Sequence, residues 1–410
     1  MTPHGTIAES PPPGGILAPF LFSAIPLTGM AILHHTLPVF APTLMQASGM
    51  PPEAYGWVGG AIGLGSVWLY VANTAFTVAL GPVRAWQIAV LIAIAGSALT
   101  LIGAYPAILL GAVCLGFAYA TATPAGAQIL ADHTPRAYRG SLFSLRQAGV
   151  PLGGVIAGAV GSWLIVAYGW RAAFAIMTAC AVGLCSILLL APRKYNESRP
   201  RHPFRLGRLF HLSNVLNPFR VVAATPGLRR ISAACIGFSA VQGAIVAFFV
   251  TFMTAGLGFS LTFAGTLYAT LLASSVAGRI VLGFVADWAG SPRPVLSALA
   301  VLSVASSLLI AAMSSDWSTA MVFAVVLFVG FSVATWNGLY LAEIAILAPD
   351  TVSEATAATT FFVFATYMVT PPIAGVIISL FGYRAVFLVT ACLAVTSAAI
   401  LFTGGRDARA

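Results

Sequence analysis

The sequence predicts an all-α membrane protein with twelve transmembrane helices in two pseudo-symmetric six-helix bundles. Three observations support this fold class. The 410-residue chain is 59% hydrophobic and only 7% charged, whereas soluble domains carry roughly 25% charged residues. Its apolar runs are of the length, about 20 residues, that crosses a bilayer. A six-residue phrase at 169–174 returns at 382–387, which indicates two copies of one unit.

The predicted spans follow one another along the chain, mostly across short turns. In the first half they cover about 16–40, 55–80, 86–104, 106–130, 141–167 and 170–191. In the second half they cover about 230–256, 260–285, 294–313, 317–346, 355–380 and 383–403. The predicted domains are a tail at 1–15, a six-helix bundle at 16–191, a basic linker at 192–229, a second bundle at 230–403 and a tail at 404–410. Because residues 1–15 contain no Lys or Arg, we do not expect a secretory signal there.

The basic residues predict the orientation. With a cytoplasmic N-terminus, 15 of the 19 Lys and Arg fall in cytoplasmic segments. The positive-inside rule therefore predicts a protein of the cell inner membrane with both termini cytoplasmic. The net charge of +9 is then a topology signal and does not indicate nucleic acid. Within the linker, residues 203–212 alternate Arg with Phe and Leu. We interpret them as an amphipathic helix on the anionic leaflet, with a regulatory docking site as the alternative.

A motif after the eighth span carries a family resemblance. It places Gly283 at the end of span 8, and Asp287, Gly290 and Arg293 in the loop between spans 8 and 9. With the twelve spans, the repeat and the basic central loop, it resembles the major facilitator superfamily over nearly the whole chain. The resemblance implies that Asp287 and Arg293 take part in a gate, a charge-assisted contact between the halves that motion can break.

Asp132, at the membrane edge, is a further gate candidate. It lies near Arg84, Arg136 and Arg139 in the sequence, so we interpret it as part of a gate or loop ion pair.

Two arginines lie inside predicted spans, where a charge costs from roughly 2.5 to more than 10 kcal/mol and marks functional sites. Arg279 also resembles the span-8 arginine that binds carboxylate in the monocarboxylate transporter family. In the superfamily spans 5 and 8 face each other, so Arg146 and Arg279 are predicted to clamp a small organic anion, because guanidinium binds carboxylate bidentately. In the alternative, Arg279 pairs with Glu343 or Asp287 and Arg146 bonds backbone carbonyls.

Spans 4 and 10 are equivalent in the repeat, and the resemblance implies that they line the cavity. The candidate substrate-binding residues on these spans and on span 7 are Gln128, Gln242, Trp336, Asn337 and Tyr340. Aromatic rings with a few aimed polar groups suit a small-molecule site. Hydrogen bonding between helices is the alternative role.

Proton coupling is predicted for Glu343, His34 and His35. Imidazole changes charge near physiological pH, and a hydrogen-bonded structural histidine is the alternative. Since neighbours on a helix point about 100° apart, at most one histidine is expected to face the cavity squarely. They are not spaced as metal ligands on one helix. The five cysteines lie within apolar runs and are interpreted as packing residues.

Small residues recur at close spacing on two spans. Span 2 and span 5 carry Gly56, Gly59, Gly60, Gly63, Gly65, Gly149, Gly153, Gly154 and Gly158. This spacing predicts helices that pack closely and slide. A kink in span 11 is expected at Pro371 and Pro372.

The sequence favours a transporter over an enzyme. It contains no catalytic set, no phosphate loop of the GxxxxGK type and no metal-binding cluster, so we expect no cofactor. The leading interpretation is a monomeric secondary transporter that imports an organic anion with protons by alternating access. The membrane potential opposes anion entry by about 2.3 kcal/mol per charge per 100 mV, which favours co-moving protons.

Two alternatives remain open. Residues 149–154 are similar to a Gly-Pro motif of drug–proton antiporters, which favours proton-driven efflux of lipophilic compounds. A transporter-like sensor or scaffold is the third class, although the tails are short for a signalling domain.

Overall fold

The computed structural model describes residues 15–135, 142–143, 145–197, 207 and 212–403. These residues form helices joined by short turns, and no β-strand occurs among them. The predicted all-α membrane class is therefore confirmed.

The first half begins with four long helices and ends with a longer interrupted run. The helices are α1 (Leu17–Ser48), α2 (Pro52–Asn73), α3 (Pro82–Ile102), α4 (Tyr105–His133), α5 (Gly149–Ile156) and α6 (Ser162–Cys185). Wider π-helical turns extend α2 over Thr74–Val78 and join α5 to α6 over Ala157–Gly161. The run ends in a 3-10 turn at Ser186–Leu190.

The second half repeats this order after two short helices. The linker helices are α7 (Lys194–Glu197) and α8 (Leu212–Ala224). The long helices are α9 (Pro226–Thr251), α10 (Leu261–Trp288), α11 (Pro292–Ala312), α12 (Thr319–Val333), α13 (Trp336–Leu347), α14 (Val352–Phe381) and α15 (Tyr383–Thr403). A π-helical turn at Phe252–Gly256 follows α9, and a 3-10 turn at Pro349–Thr351 precedes α14.

Local sequence sets several of these helix ends. Pro82, Pro226 and Pro292 occupy the first turns of α3, α9 and α11, where the missing N–H of proline costs no hydrogen bond. The Ser260 hydroxyl accepts a hydrogen bond from the Phe263 N–H at 3.2 Å and so caps α10.

Ten helices within the described residues are long and apolar enough to cross a membrane. One of them, Leu145–Leu190, is 46 residues long and exceeds one bilayer crossing. Gly169 interrupts it with a left-handed φ of 77° and a ψ of 160°, so the run divides into two segments. The number of crossings, twelve, stays a prediction.

The repeated phrase adopts the same structure in both halves. Gly382 matches Gly169 with a φ of 79° and a ψ of 172°. Two residues further, Arg171 Nε donates to a carbonyl near the end of α3 at 3.3 Å. Its counterpart Arg384 donates from Nη2 to the carbonyl just after α11 at 3.2 Å.

The second repeated pair supports the same symmetry. A Cβ atom added at Gly116 on α4 would overlap the carbonyl of Ile62 on α2. A Cβ atom added at Gly330 on α12 would overlap the carbonyl of Leu271 on α10 in the same way. Each glycine therefore allows equivalent helices to meet at backbone distance.

Helices α2 and α14 close one end of the interface between the halves. We call this end, where α2 begins and α14 finishes, the far end, and the opposite end the linker end. A Cβ atom at Gly56 or Gly63 would overlap the backbone at Pro371 or Met368. At Gly375 it would lie 2.7 Å from the Glu53 carbonyl oxygen. The small-residue spacing thus brings two backbones together, as expected.

A second close contact joins α5 and its π-helical turn to α10. A Cβ atom at Gly158 would lie 2.7 Å from the carbonyl oxygen of Gly265, and 2.9 Å from the N of Ala269. This pair and the α2–α14 pair are related by the repeat, so the far end is sealed at two equivalent places.

Three details of the sequence prediction differ from the structure. The first helix continues to Ser48 and ends at Gly49, whose φ of 67° is left-handed. The tenth predicted span is broken between α12 and α13 at residues 334–335. The helix α9 begins at Pro226, inside the predicted linker. The amphipathic segment at 203–212 lies outside the described residues except at 207 and 212, and the domain borders stay predictions.

Candidate functional site

A cavity of about 880 Å³ lies between the two halves. Its lining continues to Val78, beyond the end of α2, and to Ala131 in the last turn of α4. On α9 and α10 the lining stops at Ala247 and Leu272, and on α2 it ends at Tyr55, beside the contact of Gly56 with Pro371 that closes the far end. The cavity therefore faces the linker end, and its volume is that of a pocket for a small molecule.

Arg279 on α10 is the one Arg, Lys, Asp or Glu side chain among the described residues that line the cavity. Its Nη1 donates to the carbonyl oxygen of Gln147 at 3.3 Å, and its Nη2 to that of Ala334 at 3.1 Å. Neither partner is Glu343 or Asp287, the partners considered from the sequence. The buried Nε has no hydrogen-bond partner, so the guanidinium keeps a free donor.

The break between α12 and α13 makes one of these bonds possible. Within a continuous helix the Ala334 carbonyl would bond four residues onward. Because the helix stops at Val333 and restarts at Trp336, this carbonyl accepts from Arg279 instead. The other bond crosses to the first half, so Arg279 contacts both halves.

His35 links the two halves through a hydrogen bond. Its Nδ1 lies 2.7 Å from the hydroxyl oxygen of Tyr268 on α10. The side chain is 4% exposed, and its Nε2 has no partner in the described chain. The neighbouring His34 stacks on Tyr119 at 4.1 Å between ring centroids. Both histidines line the cavity.

Arg146 occupies a different environment from Arg279. It is 1% exposed and is not among the residues that line the cavity. Its Nη2 donates to the carbonyl oxygens of Ala122 at 2.6 Å and Thr123 at 3.3 Å, and its Nε to that of Ser23 at 3.3 Å. These bonds tie the start of the fifth span to α1 and α4, as in the structural alternative for this residue.

The predicted polar group on α13 divides into cavity and core residues. Asn337 and Tyr340 line the cavity, as do Gln242 on α9 and Gln128 on α4. Trp336 is 0% exposed and lies outside the lining. Its Nε1 donates to the Gln242 Oε1 at 2.9 Å, so it orients a side chain that does line the cavity.

The charged gate candidates, together with the proton-coupling candidate Glu343, lie nearer the linker end. Glu343 on α13 is buried and within electrostatic range of Arg293. Arg293 donates from Nη2 to the carbonyl of Leu401 at 3.3 Å. Asp287 and Asp132 are exposed in the last turns of α10 and α4. Their roles stay predictions, and Arg136 and Arg139 lie outside the described residues.

Several cavity residues were missed by the sequence analysis. They are aromatic or polar side chains inside the spans, namely Tyr55, Tyr70, Tyr119, Phe143, Gln147, Phe364 and Tyr367. A tyrosine hydroxyl within an apolar run requires a partner or water when it is buried. The position of Tyr70, Tyr119 and Tyr367 well inside their spans could therefore have marked these three. Among the described residues, no three His, Cys, Asp or Glu side chains are grouped to hold a metal ion.

Comparison with known proteins relates the whole chain to transporters. A family model described as Major Facilitator Superfamily matches residues 20–366. No curated protein matches the chain significantly.

Solved transporter structures share the fold. A bacterial homolog of the human lysosomal transporter Spinster, inward-facing and unoccupied, is 18% identical with a TM-score of 0.67, and the match covers 95% of each chain. A mutant of the peptide transporter POT in complex with sulfate is 13% identical with a TM-score of 0.74, covering 95% of this chain and 94% of that one. A mutant of the nucleoside transporter NupG is 16% identical with a TM-score of 0.67, covering 95% and 99%.

Proposed function

Because the chain belongs to the Major Facilitator Superfamily, we propose that it imports a small organic anion with protons across the cell inner membrane by alternating access. It is a multi-pass membrane transporter rather than an enzyme. The similar solved structures are named as transporters of different substrates, peptides and nucleosides among them. The substrate of this chain therefore has to be argued from its cavity.

The charge of the cavity wall carries the proposal. Arg279 places one positive charge on the wall, and no carboxylate lies among the described lining residues. Its unpartnered Nε and the remaining N–H groups of the guanidinium form a fork that matches a carboxylate. An anion there would satisfy a buried donor whose desolvation costs about 1–3 kcal/mol.

We assign the anion contact to Arg279 alone. Arg146 bonds three backbone carbonyls and does not line the cavity. It acts through the helices that it holds together and is therefore a positioning residue. Gln128, Gln242, Asn337 and Tyr340 are the proposed polar contacts to the rest of the substrate.

Proton coupling is assigned first to His35. Its unpartnered Nε2 is buried on the cavity wall, where a proton can arrive beside a bound anion. A proton that moves with a monoanion cancels its charge and removes the opposition of the membrane potential. Glu343 is the second candidate for proton coupling. Its side chain is buried, but it ranks after His35 because it does not line the cavity.

Proton-driven efflux of lipophilic compounds, cations among them, remains the second candidate function. The tyrosine rings of the wall could attract a cation through their π faces. A carboxylate partner for such a cation is absent from the described lining, which favours the anion.

Ligand-induced thermal stabilisation of the purified protein tests the proposal. A carboxylate such as acetate or benzoate should raise the melting temperature, because a ligand at 100 times its Kd stabilises by about 2.7 kcal/mol. Arg279→Gln should abolish the shift, while Arg146→Gln should keep it. Stabilisation by amines alone, unchanged in Arg279→Gln, would contradict the anion proposal. Uptake into proteoliposomes with and without a pH gradient, repeated with His35→Gln and Glu343→Gln, tests the proton step.

A further inference from the structure

We infer that the substrate is an aromatic monoanion, one carboxylate on a flat ring, as in benzoate. The inference rests on the proposed function, because it assigns the substrate class of the same cavity. It is carried by two features of the wall, the number of its charges and the arrangement of its rings.

The described wall offers one permanent cation, Arg279, to the substrate. Two N–H groups of Arg279 already bond backbone carbonyls, which leaves enough donors for one carboxylate. A second carboxylate on the same molecule would find no further Lys or Arg among the described lining residues. Burying a charge without a partner is strongly unfavourable. The cavity therefore selects a single negative charge.

Aromatic rings from both halves line the same cavity as this cation. Tyr119 on α4 and Tyr367 on α14 lie within electrostatic range of Arg279. His34 stacks on Tyr119 with a centroid distance of 4.1 Å. Phe364 lies 5.7 Å from Tyr367, edge to face. The same Phe364 stacks across the interface on Tyr70 of α2 at 4.8 Å.

These rings form two groups on the cavity wall that also carries Arg279, one of His34 with Tyr119 and one of Tyr70, Phe364 and Tyr367. All of them line the cavity, and their faces and edges meet at the distances of aromatic pairs. A flat ring held at Arg279 by its carboxylate would extend this arrangement by offset stacking or edge contacts. An aliphatic body of the same size would bury similar area without that geometry. The aromatic ring should therefore bind roughly 2- to 10-fold more tightly.

Four probes separate charge from ring. Benzoate carries both features, and cyclohexanecarboxylate keeps the charge and ring size without the π system. Terephthalate adds a second carboxylate, and benzylamine reverses the charge. The Kd of each is measured on the purified full-length protein by isothermal titration. We expect benzoate to bind roughly 2- to 10-fold more tightly than cyclohexanecarboxylate, and terephthalate to bind at least about 10-fold more weakly than benzoate.

A pair of matched variants locates the effect. Tyr119→Leu should reduce benzoate affinity to that of cyclohexanecarboxylate and change the latter by less than about 2-fold. Tyr168→Leu is the control, since Tyr168 is 61% exposed and lies outside the lining. Tyr119→Phe keeps the ring and should keep the benzoate preference. If Tyr119→Leu does not fold, Tyr119→Phe and the four probes on the unaltered protein still decide the inference.

The outcomes distinguish this inference from the proposed function. Equal affinity for benzoate and cyclohexanecarboxylate, or tighter binding of terephthalate, would overturn the aromatic monoanion and leave anion transport in place. Binding of benzylamine but of no carboxylate would overturn the proposed function itself.

Discussion

The two intramembrane arginines differ in what their guanidinium groups have left to bind. Arg146 has three carbonyl acceptors and no access to the cavity. Arg279 lines the cavity and keeps its Nε unpaired. In an apolar medium a charge must be compensated, and these residues do so in different ways. The fold compensates the charge of Arg146, whereas we propose that a bound anion completes the compensation of Arg279.

Replacing each arginine by alanine should separate these roles. Arg146→Ala leaves three buried carbonyls without their donor, so we expect a loss of roughly 3 kcal/mol in the free energy of unfolding. Arg279→Ala should lose about 1 kcal/mol or less, because Arg279 makes two such bonds, neither as short as the 2.6 Å bond of Arg146, and its Nε desolvation is relieved. Thermal denaturation in detergent measures both. Equal destabilisation would contradict the division of roles.

Tyr268 offers a test of the bond between the halves. Tyr268→Phe removes the partner of His35 Nδ1, which should cost about 1 kcal/mol. Since this bond joins α1 to α10 with the far end closed, its loss should raise the population of the far-end-open state about 5-fold. Labelling of a cysteine at Met368, by an impermeant reagent added at the far end, reports that population. An unchanged labelling rate would show that the bond does not favour closure.

The sequence predicted only in part which side chains line the cavity and which pack between helices. The apolar runs, the repeat and the motif around Asp287 were sufficient to predict the superfamily fold. Polar side chains within the spans marked seven residues that line the cavity, Arg279 among them. Which way Arg146 points could not be predicted, because a helix in a membrane is apolar on every side and its pattern does not define a buried face. Trp336 was placed in the site for its chemistry, but it packs in the core and orients Gln242.

At the scale of helices, the contact between α2 and α14 closes the far end. It depends on glycine, because a Cβ at Gly56 would overlap the carbonyl of Pro371. Backbone approach of this kind was predicted from the glycine spacing. The break at residues 334–335 was not, since the apolar run continues through it without a proline. At this break the Ala334 carbonyl accepts a hydrogen bond from Arg279. That bond is a tertiary contact, which the local sequence does not reveal.

Gly56→Ala tests the contribution of this helix contact. The added methyl group should disfavour far-end closure by roughly 1–3 kcal/mol through overpacking, and it should slow transport. Gly283→Ala on α10 is the matched control, because nothing lies within 4 Å of its added Cβ. The control gains helix propensity, about 1 kcal/mol, without a collision. Similar stability and transport in both variants would refute a role for backbone approach.

At the scale of the whole molecule, the two halves share one backbone arrangement but contribute different side chains to the cavity. The equivalent bonds of Arg171 and Arg384 show how closely the frame is repeated. The permanent charge of the described lining comes from the second half, at Arg279, whereas the paired histidines come from the first. We therefore expect transport to need both halves, although the same backbone contacts recur in each.

Sidedness can be tested with one introduced cysteine. In a background without native cysteines, Ala131→Cys places a thiol on the cavity wall near the linker end. If the linker is cytoplasmic, an impermeant maleimide should label it several-fold faster in inside-out than in right-side-out vesicles. Leu37→Cys is the control, since Leu37 is 0% exposed and should react slowly in both. Faster labelling in right-side-out vesicles would reverse the predicted topology.

The backbone contact between α2 and α14 also determines how the closed far end responds to the salt concentration of the medium there. Ion pairs weaken as salt rises, because charges are screened within about 10 Å at 0.1 M ionic strength. The contact of Gly56 and Gly63 with Pro371 and Met368 depends on shape and distance. Dissolved ions have no charge to screen there, so this seal holds equally well in dilute and in saline surroundings.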